Sequence, residues 1–166
     1  MIKKKICMLG AFAVGKTSLV QRFVNSIFSE KYQTTIGVKI DQKIVQIKDT
    51  EVNLMLWDIH GEDSYQKVKP SYIMGASGYF IVADVTRGQT LEVGLSLQSM
   101  AEKMSKSAPY ILLLNKTDID KEEWEIDDNS IAELKNKGIN VIQTSAKDGT
   151  GVEEAFIRLT ELMINK

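Results

Sequence analysis

The sequence has little of the two residues that most often build disulfides and zinc sites. Its 166 residues include one cysteine and one histidine. A single cysteine excludes an internal disulfide, and one residue of each kind cannot supply the four ligands of an ordinary structural zinc site. This composition fits a reducing compartment, so we predict a cytoplasmic protein.

Long apolar runs and an excess of one charge are also missing. No stretch approaches the roughly 20 apolar residues that a membrane-spanning helix needs, and the N-terminus lacks the apolar segment of a signal peptide. Because 21 basic and 22 acidic residues leave a net charge of −1, we expect no nucleic acid partner. The lysines at 3–5 are interpreted as a solvated lead-in to the first strand. No cysteine stands near the last residues, so we expect no lipid anchor or membrane binding for this chain. Peripheral membrane association is expected only if a tail is missing from it.

Residues 10–17 match the pattern G-x-x-x-x-G-K-S/T at every required position. A short apolar run at 6–9 precedes them, and apolar residues at helical spacing follow, which is the context of a phosphate-binding loop. Glycine allows backbone N–H groups to approach a polyphosphate closely. The alternative, a glycine-bearing turn before an ordinary helix, is disfavoured because both flanks agree. The predicted phosphate-binding residues are Ala13, Val14, Gly15, Lys16, Thr17 and Ser18, and the Thr17 hydroxyl is a predicted Mg²⁺ ligand.

Apolar patterning along the rest of the chain predicts an α/β fold. Alternating residues at 38–44 and 52–56 predict two antiparallel strands with a tight hairpin, and apolar runs at 78–83 and 110–114 are typical of strands covered on both faces. A last strand is predicted at 140–142, and helical stripes lie at 97–104, 131–134 and 152–162. We therefore predict one P-loop NTPase domain over residues 1–166. It has a six-stranded, mostly parallel sheet with one antiparallel strand pair, and helices cover both faces.

Two polar segments interrupt this pattern. Residues 28–37 have no helical or strand period and are predicted to form an exposed loop, and residues 62–67 are expected to be partly helical.

Four motifs follow predicted strands, so the carboxyl edge of the sheet should bring them together. Besides the phosphate loop these are Asp58 with Gly61, the sequence Asn115-Lys116-Thr117-Asp118, and Ser145-Ala146-Lys147. The Asp58 carboxylate is a predicted Mg²⁺ ligand, and the Gly61 N–H is expected to face a terminal phosphate. Alone, the Asp58 pattern is weak.

The motif at 115–118 predicts a guanine site. The Asp118 carboxylate can accept hydrogen bonds from N1 and N2 of guanine, whereas adenine offers an acceptor at N1 and no exocyclic donor at C2. The Lys116 stem can lie along the base, and the Ala146 N–H can donate to the guanine carbonyl. A plain polar turn is the alternative for these four residues, and their position after a buried strand disfavours it.

With these motifs the chain resembles the Ras superfamily of small GTPases, most closely its Rab-like branch, over nearly its whole length. The resemblance implies a Mg²⁺-dependent switch that hydrolyses GTP to GDP, with switch loops at 32–38 and about 57–73. It implies that Thr35 binds Mg²⁺ and the γ-phosphate, that Phe28 packs against guanine, and that Lys147 flanks the base beside Ser145. The implied catalytic residues are Lys16, Thr35, Gly61 and Glu62.

The resemblance also implies partners. Effector proteins are expected to bind a monomer through a switch-region surface, and an exchange factor and an activating protein are expected as well. Trp57 and Tyr72 match two of the three aromatics of the Rab-like effector surface, but the third position is Ile40. The expected effector-facing residues are Ile36, Gly37, Val38, Ile40, Trp57 and Tyr72.

Three residues depart from the family pattern. Phe12 replaces a small residue, and Glu62 replaces the glutamine that orients the attacking water. His60 also replaces a small residue, and we favour a packing role in the switch loop over a role in positioning water. We expect slow intrinsic hydrolysis, although Glu62 acting as a general base is a competing possibility. Two other functions are considered: a GTP-loaded binding or scaffold module with negligible hydrolysis, and a P-loop ATPase or small-molecule kinase. The last needs an adenine site or a lid domain, and the sequence contains neither signal.

Overall fold

The strands and helices alternate along the chain as expected for an α/β protein. The structure is a computed structural model that describes residues 1–31, 34–63 and 67–165. Its strands are β1 (Ile2–Gly10), β2 (Val38–Ile47), β3 (Thr50–Ile59), β4 (Gly78–Asp84), β5 (Tyr110–Asn115) and β6 (Val141–Gln143). Its helices are α1 (Lys16–Asn25), α2 (Pro70–Ile73), α3 (Gln89–Met104), α4 (Asp128–Asn136) and α5 (Val152–Ile164), and a 3₁₀ turn covers Lys121–Glu123.

The six strands form one sheet in the order β2-β3-β1-β4-β5-β6. The β2–β3 hairpin is antiparallel, and every other neighbouring pair is parallel. Because parallel strands need crossover connections, the helices lie over the two faces of the sheet. The predicted fold class, including the hairpin, is confirmed.

Two apolar layers sandwich the sheet. On one face α1 and α5 meet where the Phe23 and Phe156 rings stack at 4.0 Å, and Phe80 of β4 packs edge-on against Phe156 at 4.8 Å. On the other face α3 and α4 bury Leu97, Ala101 and Ile131. The strands between these layers are almost wholly buried, which explains their continuous apolar runs. None of the helices that the structure describes is long and apolar enough to cross a membrane.

The interpretation of residues 3–5 as a solvated lead-in is wrong. β1 begins at Ile2, and Lys3, Lys4 and Lys5 pair with residues 53–55 of β3. β4 joins on the other side only from Ile6 onward, so the lysines occupy the half of the strand that has one neighbour. Lysine stems can cover apolar surface while their ammonium groups reach water.

The structure describes only the two ends of the second polar segment, so its partly helical character stays a prediction. Glu62, Asp63 and Lys67 are not helical, and residues 64–66 lie outside the described part of the chain. Helix α2 begins at Pro70, a residue that suits the first helical position because its missing N–H would have no partner there.

Candidate functional site

A cavity of about 460 Å³ opens at the carboxyl edge of the sheet. The loops that follow β1, β5 and β6 meet there with the 28–35 segment and Gly61. Thirteen of the predicted nucleotide-binding residues line it: Ala13, Gly15, Lys16, Thr17, Ser18, Phe28, Thr35, Gly61, Asn115, Lys116, Asp118, Ala146 and Lys147. Phe12, Ser29, Glu30, Lys31 and Ile119 also line it. The sequence motifs are therefore brought together in one cavity.

The loop between β1 and α1 depends on glycine at two positions. Gly15 has a φ of 101°, and a Cβ there would lie 2.4 Å from the Asn115 Nδ2 atom. A Cβ on Gly10 would lie 2.5 Å from the Val82 carbonyl oxygen. Such contacts leave no room for any other residue, so packing requires both glycines, and at Gly15 the positive φ favours glycine as well.

Lys16 is buried at the base of this loop. Its Nζ donates to the carbonyls of Gly10 and Ala11 at 3.3 and 3.2 Å. Burial lowers the pKa of its ammonium group to about 8, and the charge of Asp58 partly opposes this shift. The ammonium is thus held without a close anion, in a place where a phosphate would stabilise it.

Three oxygen-bearing side chains converge beside Lys16. The Thr17 hydroxyl lies 2.7 Å from the Thr35 hydroxyl and donates to Asp58 Oδ2 at 2.7 Å. Burial raises the pKa of the Asp58 carboxyl, although the Thr17 hydrogen bond and the Lys16 charge act the other way. Asp58 Oδ1 is buried and has no hydrogen-bond partner among the residues that the structure describes.

These donors fit Mg²⁺, which prefers hard oxygen ligands and keeps water and phosphate in part of its shell. Within the described ranges no group of three or more histidine, cysteine, aspartate or glutamate side chains is placed to hold a metal ion. One carboxylate and two hydroxyls therefore suit an ion that is shared with a phosphate ligand, and the orphaned Asp58 Oδ1 is an available acceptor.

The loops after β5 and β6 are tied to the phosphate loop. Asn115 donates from Nδ2 to the Val14 carbonyl at 2.9 Å, while its Oδ1 accepts from the Thr144 hydroxyl at 3.0 Å. Lys116 Nζ donates to the Ala13 carbonyl at 2.9 Å. Val14 is buried and lies behind the cavity wall. These bonds fix the distance between the phosphate loop and the end of β5.

Asp118 and Ser145 form a pair at the far end of the cavity. The Ser145 hydroxyl donates to Asp118 Oδ1 at 2.8 Å, and its oxygen accepts from the Asp148 N–H at 3.1 Å. Ser145 is fully buried and does not line the cavity itself. It therefore orients the carboxylate that does.

Two charged residues near the site, Asp84 and Arg87, belong to no motif that can be recognised in the sequence. The buried Asp84 carboxylate lies 2.9 Å from Lys116 Nζ and 3.8 Å from Arg87 Nη1. Arg87 Nη1 also donates to the Phe12 carbonyl at 3.0 Å. Asp84 thus sits between two cations that each hold one carbonyl of the phosphate loop, a role visible only in three dimensions.

Comparison with known proteins adds the family. A profile of the Ras family matches residues 5–165. The chain belongs to the Ras family. Its relatives include Ras-related protein Rab-32C of Dictyostelium discoideum, which is 34% identical over 98% of this chain and 74% of its own length. Ras-related protein Rab-13 of Canis lupus familiaris is 30% identical over 98% of this chain and 80% of its own length. Ras-related protein RABA5b of Arabidopsis thaliana is 34% identical over 92% of this chain and 70% of its own length.

This Ras family member holds its two unusual loop residues together through the backbone. The Phe12 N–H donates to the Glu62 carbonyl at 3.0 Å, and the Glu62 N–H donates to the Gly10 carbonyl at 3.1 Å. A Cβ on Gly61 would lie 2.4 Å from the Phe12 Cα. The chain after β3 therefore lies directly on the phosphate loop, and only glycine fits at the contact.

The Glu62 side chain does not line the cavity. Its Oε1 accepts a hydrogen bond from the Val68 N–H at 3.2 Å, within the same segment. His60 is buried, its N–H donates to the Gly37 carbonyl at 2.8 Å, and its ring lies edge-on to Tyr72 at 6.4 Å. These contacts agree with a packing role for His60 and hold the Glu62 carboxylate in this conformation.

The expected effector-facing residues of the Ras family fall into two groups. Ile36 and Ile40 are 83% and 46% exposed. Val38, Trp57 and Tyr72 instead pack against the core layer under α3, and Lys5 Nζ covers the Trp57 ring at 3.7 Å from its centroid. Gly37 has a φ of 71° and open space beside it. Effector binding through this surface stays a prediction.

Proposed function

We propose that this chain is a Mg²⁺-dependent molecular switch that binds GTP and GDP in the 460 Å³ cavity and hydrolyses GTP slowly. The observation that carries the proposal is that the loop after β5, which has the guanine motif at 115–118, is hydrogen-bonded to the phosphate loop at 10–17. Asn115 and Lys116 hydrogen-bond to the Val14 and Ala13 carbonyls, so base and phosphate sites are held at a fixed separation. Membership of the Ras family supports the same conclusion.

The phosphates would be held at the β1–α1 end of the cavity. The N–H groups of residues 13–18 lie at the start of α1, where the helix dipole favours an anion. Lys16 would exchange its two carbonyl acceptors for phosphate oxygens. Because its ammonium is buried and no described residue offers it an anion within hydrogen-bonding distance, the gain in electrostatic energy should be large.

Thr17, Thr35 and Asp58 would hold Mg²⁺. When bound, the ion would supply positive charge that offsets the charge of the phosphates. Thr35 belongs to the loop before β2, so its engagement would order that loop, and Gly61 would do the same for the segment after β3. Release of the γ-phosphate would free both, which is how a surface at Ile36 and Ile40 could report the nucleotide state to an effector.

The base would lie between Phe28 and Lys116 and be recognised by Asp118 and Ala146.

The first test of the proposed function is a nucleotide competition experiment. We expect unlabelled GTP or GDP to displace a fluorescent guanine nucleotide stoichiometrically. ATP should need at least about a hundredfold excess, since adenine has no donor at N1 or C2 to pair with Asp118. Comparable displacement by ATP and GTP would exclude the proposal. EDTA should increase the rate of nucleotide release. A release rate that is slow and does not change with EDTA would argue against the Mg²⁺ site.

Lys16 leads to a second prediction. Its pKa is about 8 in the free protein, and a bound phosphate should raise it. Binding therefore favours the protonated form, so affinity should be highest below about pH 8 and fall above it, by up to tenfold for each pH unit. The lowered pKa has the opposite effect on folding: between about pH 8 and 10.5 the unfolded chain holds more protons, so the Lys16 contribution to free-protein stability rises with pH.

Calorimetry of GDP binding at about pH 8.5, in buffers of different ionisation enthalpy, measures this proton uptake. The Lys16→Arg variant is the control because its guanidinium stays charged, and it retains any proton uptake by the guanine base. The unmodified protein should take up more protons than this variant. Equal uptake by both would contradict the assignment of Lys16 to the phosphates.

A second function, a GTP-loaded binding module with negligible hydrolysis, is favoured by one observation. The Glu62 carboxylate accepts the Val68 N–H rather than lining the cavity. The nucleotide that co-purifies with the protein separates the two functions. An active enzyme should carry mostly GDP, whereas the inert module should carry mostly GTP.

A further inference from the structure

Arg22 of α1 reaches across to the loop that follows β6. Its Nε donates to the Ala146 carbonyl at 2.7 Å, and its Nη2 donates to the Lys147 carbonyl. These partners are 124 and 125 residues away in sequence. A guanidinium presents its donors in a planar, rigid fork. Two consecutive carbonyls are therefore held in a fixed orientation relative to α1.

The rest of this loop is held from within. The Ser145 N–H donates to the Thr150 carbonyl at 2.9 Å, and the Gly149 N–H donates to the Ser145 carbonyl at 2.8 Å. A Cβ on Gly149 would be 3.9 Å from the Arg22 Cδ, so the arginine stem lies along the loop. The internal bonds fix the shape of the loop, and Arg22 fixes where the loop sits against the helix.

Ala146 is the residue most affected by this contact. It is buried and lines the cavity. Its N–H belongs to the same planar peptide group as the Ser145 carbonyl, which accepts from the Gly149 N–H at 2.8 Å. Arg22 holds the next peptide group through the Ala146 carbonyl, so the peptide groups on both sides of the Ala146 Cα are fixed. α1 is also the helix that begins with Lys16 and Thr17. Arg22 thereby places the Ala146 backbone relative to the phosphate end of the site.

We propose that Arg22 is a positioning residue for base recognition: it aims the Ala146 N–H at the 6-oxygen of guanine without touching the nucleotide. This inference rests on the proposed function, because it requires a guanine base at the Asp118 end of the cavity. It extends base recognition beyond the two motifs that carry it in the sequence.

The experiment compares two nucleotides. One is GDP, and the other is 2-aminopurine riboside 5′-diphosphate, which has no 6-oxygen. The Arg22→Ala variant should bind GDP about tenfold more weakly, the factor expected when one hydrogen bond to the base is lost. Its affinity for the 2-aminopurine nucleotide should change less than about twofold. Each comparison is made within one nucleotide, so the weaker binding of the analogue does not affect it.

Arg158→Ala is the matched control. Arg158 is also a helical arginine, but its side chain makes a single polar contact with the described residues, a 3.8 Å surface ion pair with Glu161. It should leave both affinities unchanged. Arg22→Lys keeps the charge but loses the planar fork of donors. It should therefore weaken the binding of GDP and not of the 2-aminopurine nucleotide, by a smaller factor than Arg22→Ala does. If Arg22→Ala does not fold, the same selectivity measured on Arg22→Lys decides the question.

The outcomes separate this inference from the proposed function. If the unmodified protein does not prefer GDP to ADP, the proposed function itself fails. If it does prefer GDP and Arg22→Ala weakens both purine nucleotides equally, Arg22 is only a structural support and the inference fails. An unchanged GDP affinity in either Arg22 variant overturns it as well. Selective loss for GDP supports it.

Discussion

Bound GTP should turn over slowly in the unmodified protein, and an activating protein that inserts an arginine should accelerate it little. Glu62 stands where the family has a water-orienting glutamine. Its carboxylate can accept from the attacking water but has no N–H₂ to donate toward the transferring oxygens, and its charge would repel the γ-phosphate. In this structure it must also give up its 3.2 Å hydrogen bond with the Val68 N–H before it can reach the cavity.

Phe12 should affect external activation more than intrinsic rate. Its side chain is 37% exposed and lines the cavity, in the space through which an arginine finger would have to pass. Its backbone cannot easily move aside, because Arg87 holds its carbonyl and Glu62 accepts from its N–H. In related GTPases such a finger contributes about 10³–10⁵ in kcat. Most of that factor should be lost here.

Single-turnover hydrolysis of the unmodified protein, Glu62→Gln, Phe12→Gly and the double variant tests both statements. Glu62→Gln should raise the intrinsic rate. Phe12→Gly should change it little, yet should regain much of the stimulation by a cognate activating protein. The two residues share a backbone hydrogen bond of 3.0 Å, so their effects need not add and the coupling free energy should be reported.

Glu161→Gln is the control for charge alone, because it changes a half-buried carboxylate of α5 that pairs with Arg158 at 3.8 Å. A decrease in rate for Glu62→Gln would show that Glu62 works as a general base, the competing interpretation of this residue. An unmodified protein that is already as fast as an activator-stimulated relative would contradict the prediction of slow hydrolysis.

The sheet could be predicted from the sequence because strands that are buried on both faces consist mostly of apolar residues. The strands between the two helical layers show as continuous apolar runs, and the β2–β3 hairpin alternates as a half-covered sheet does. The start of β1 was missed because its lysines look like a solvated segment. Lys5 nevertheless fits a strand, since its ammonium covers the Trp57 ring and donates to the Met74 carbonyl.

Motifs located the residues that face the cavity, but not the residues that hold them in place. Gly15, Lys16 and Asp118 belong to short patterns whose chemistry is readable from spacing. Arg22 and Asp84 act through partners that lie tens to more than a hundred residues away, and neither stands at a diagnostic spacing. Such bracing contacts depend on how the helices pack on the sheet, so a single sequence gives no signal for them.

Replacing Asp118 by asparagine should reverse the base preference of the site. The two hydrogen bonds that guanine donates to this carboxylate are worth about 1.5–3 kcal/mol each. Asp118→Asn should therefore weaken GDP binding roughly 10²–10⁴-fold. The Ser145 hydroxyl donates to Asp118 Oδ1 at 2.8 Å, and in the variant it should hold the amide oxygen in the same place.

The amide nitrogen would then face the base and donate where xanthine carries a carbonyl in place of the guanine amino group. Xanthosine diphosphate should consequently bind the variant more tightly than GDP does, as measured by competition against a fluorescent nucleotide. Asp118→Ala is the control, because it should lose affinity for GDP without gaining affinity for xanthosine diphosphate. Adding Ser145→Ala to Asp118→Asn should reduce the gain, since the amide could then rotate. If Asp118→Asn still preferred GDP, the carboxylate would not be the group that reads guanine, and the assignment of this end of the cavity to the base would have to be abandoned.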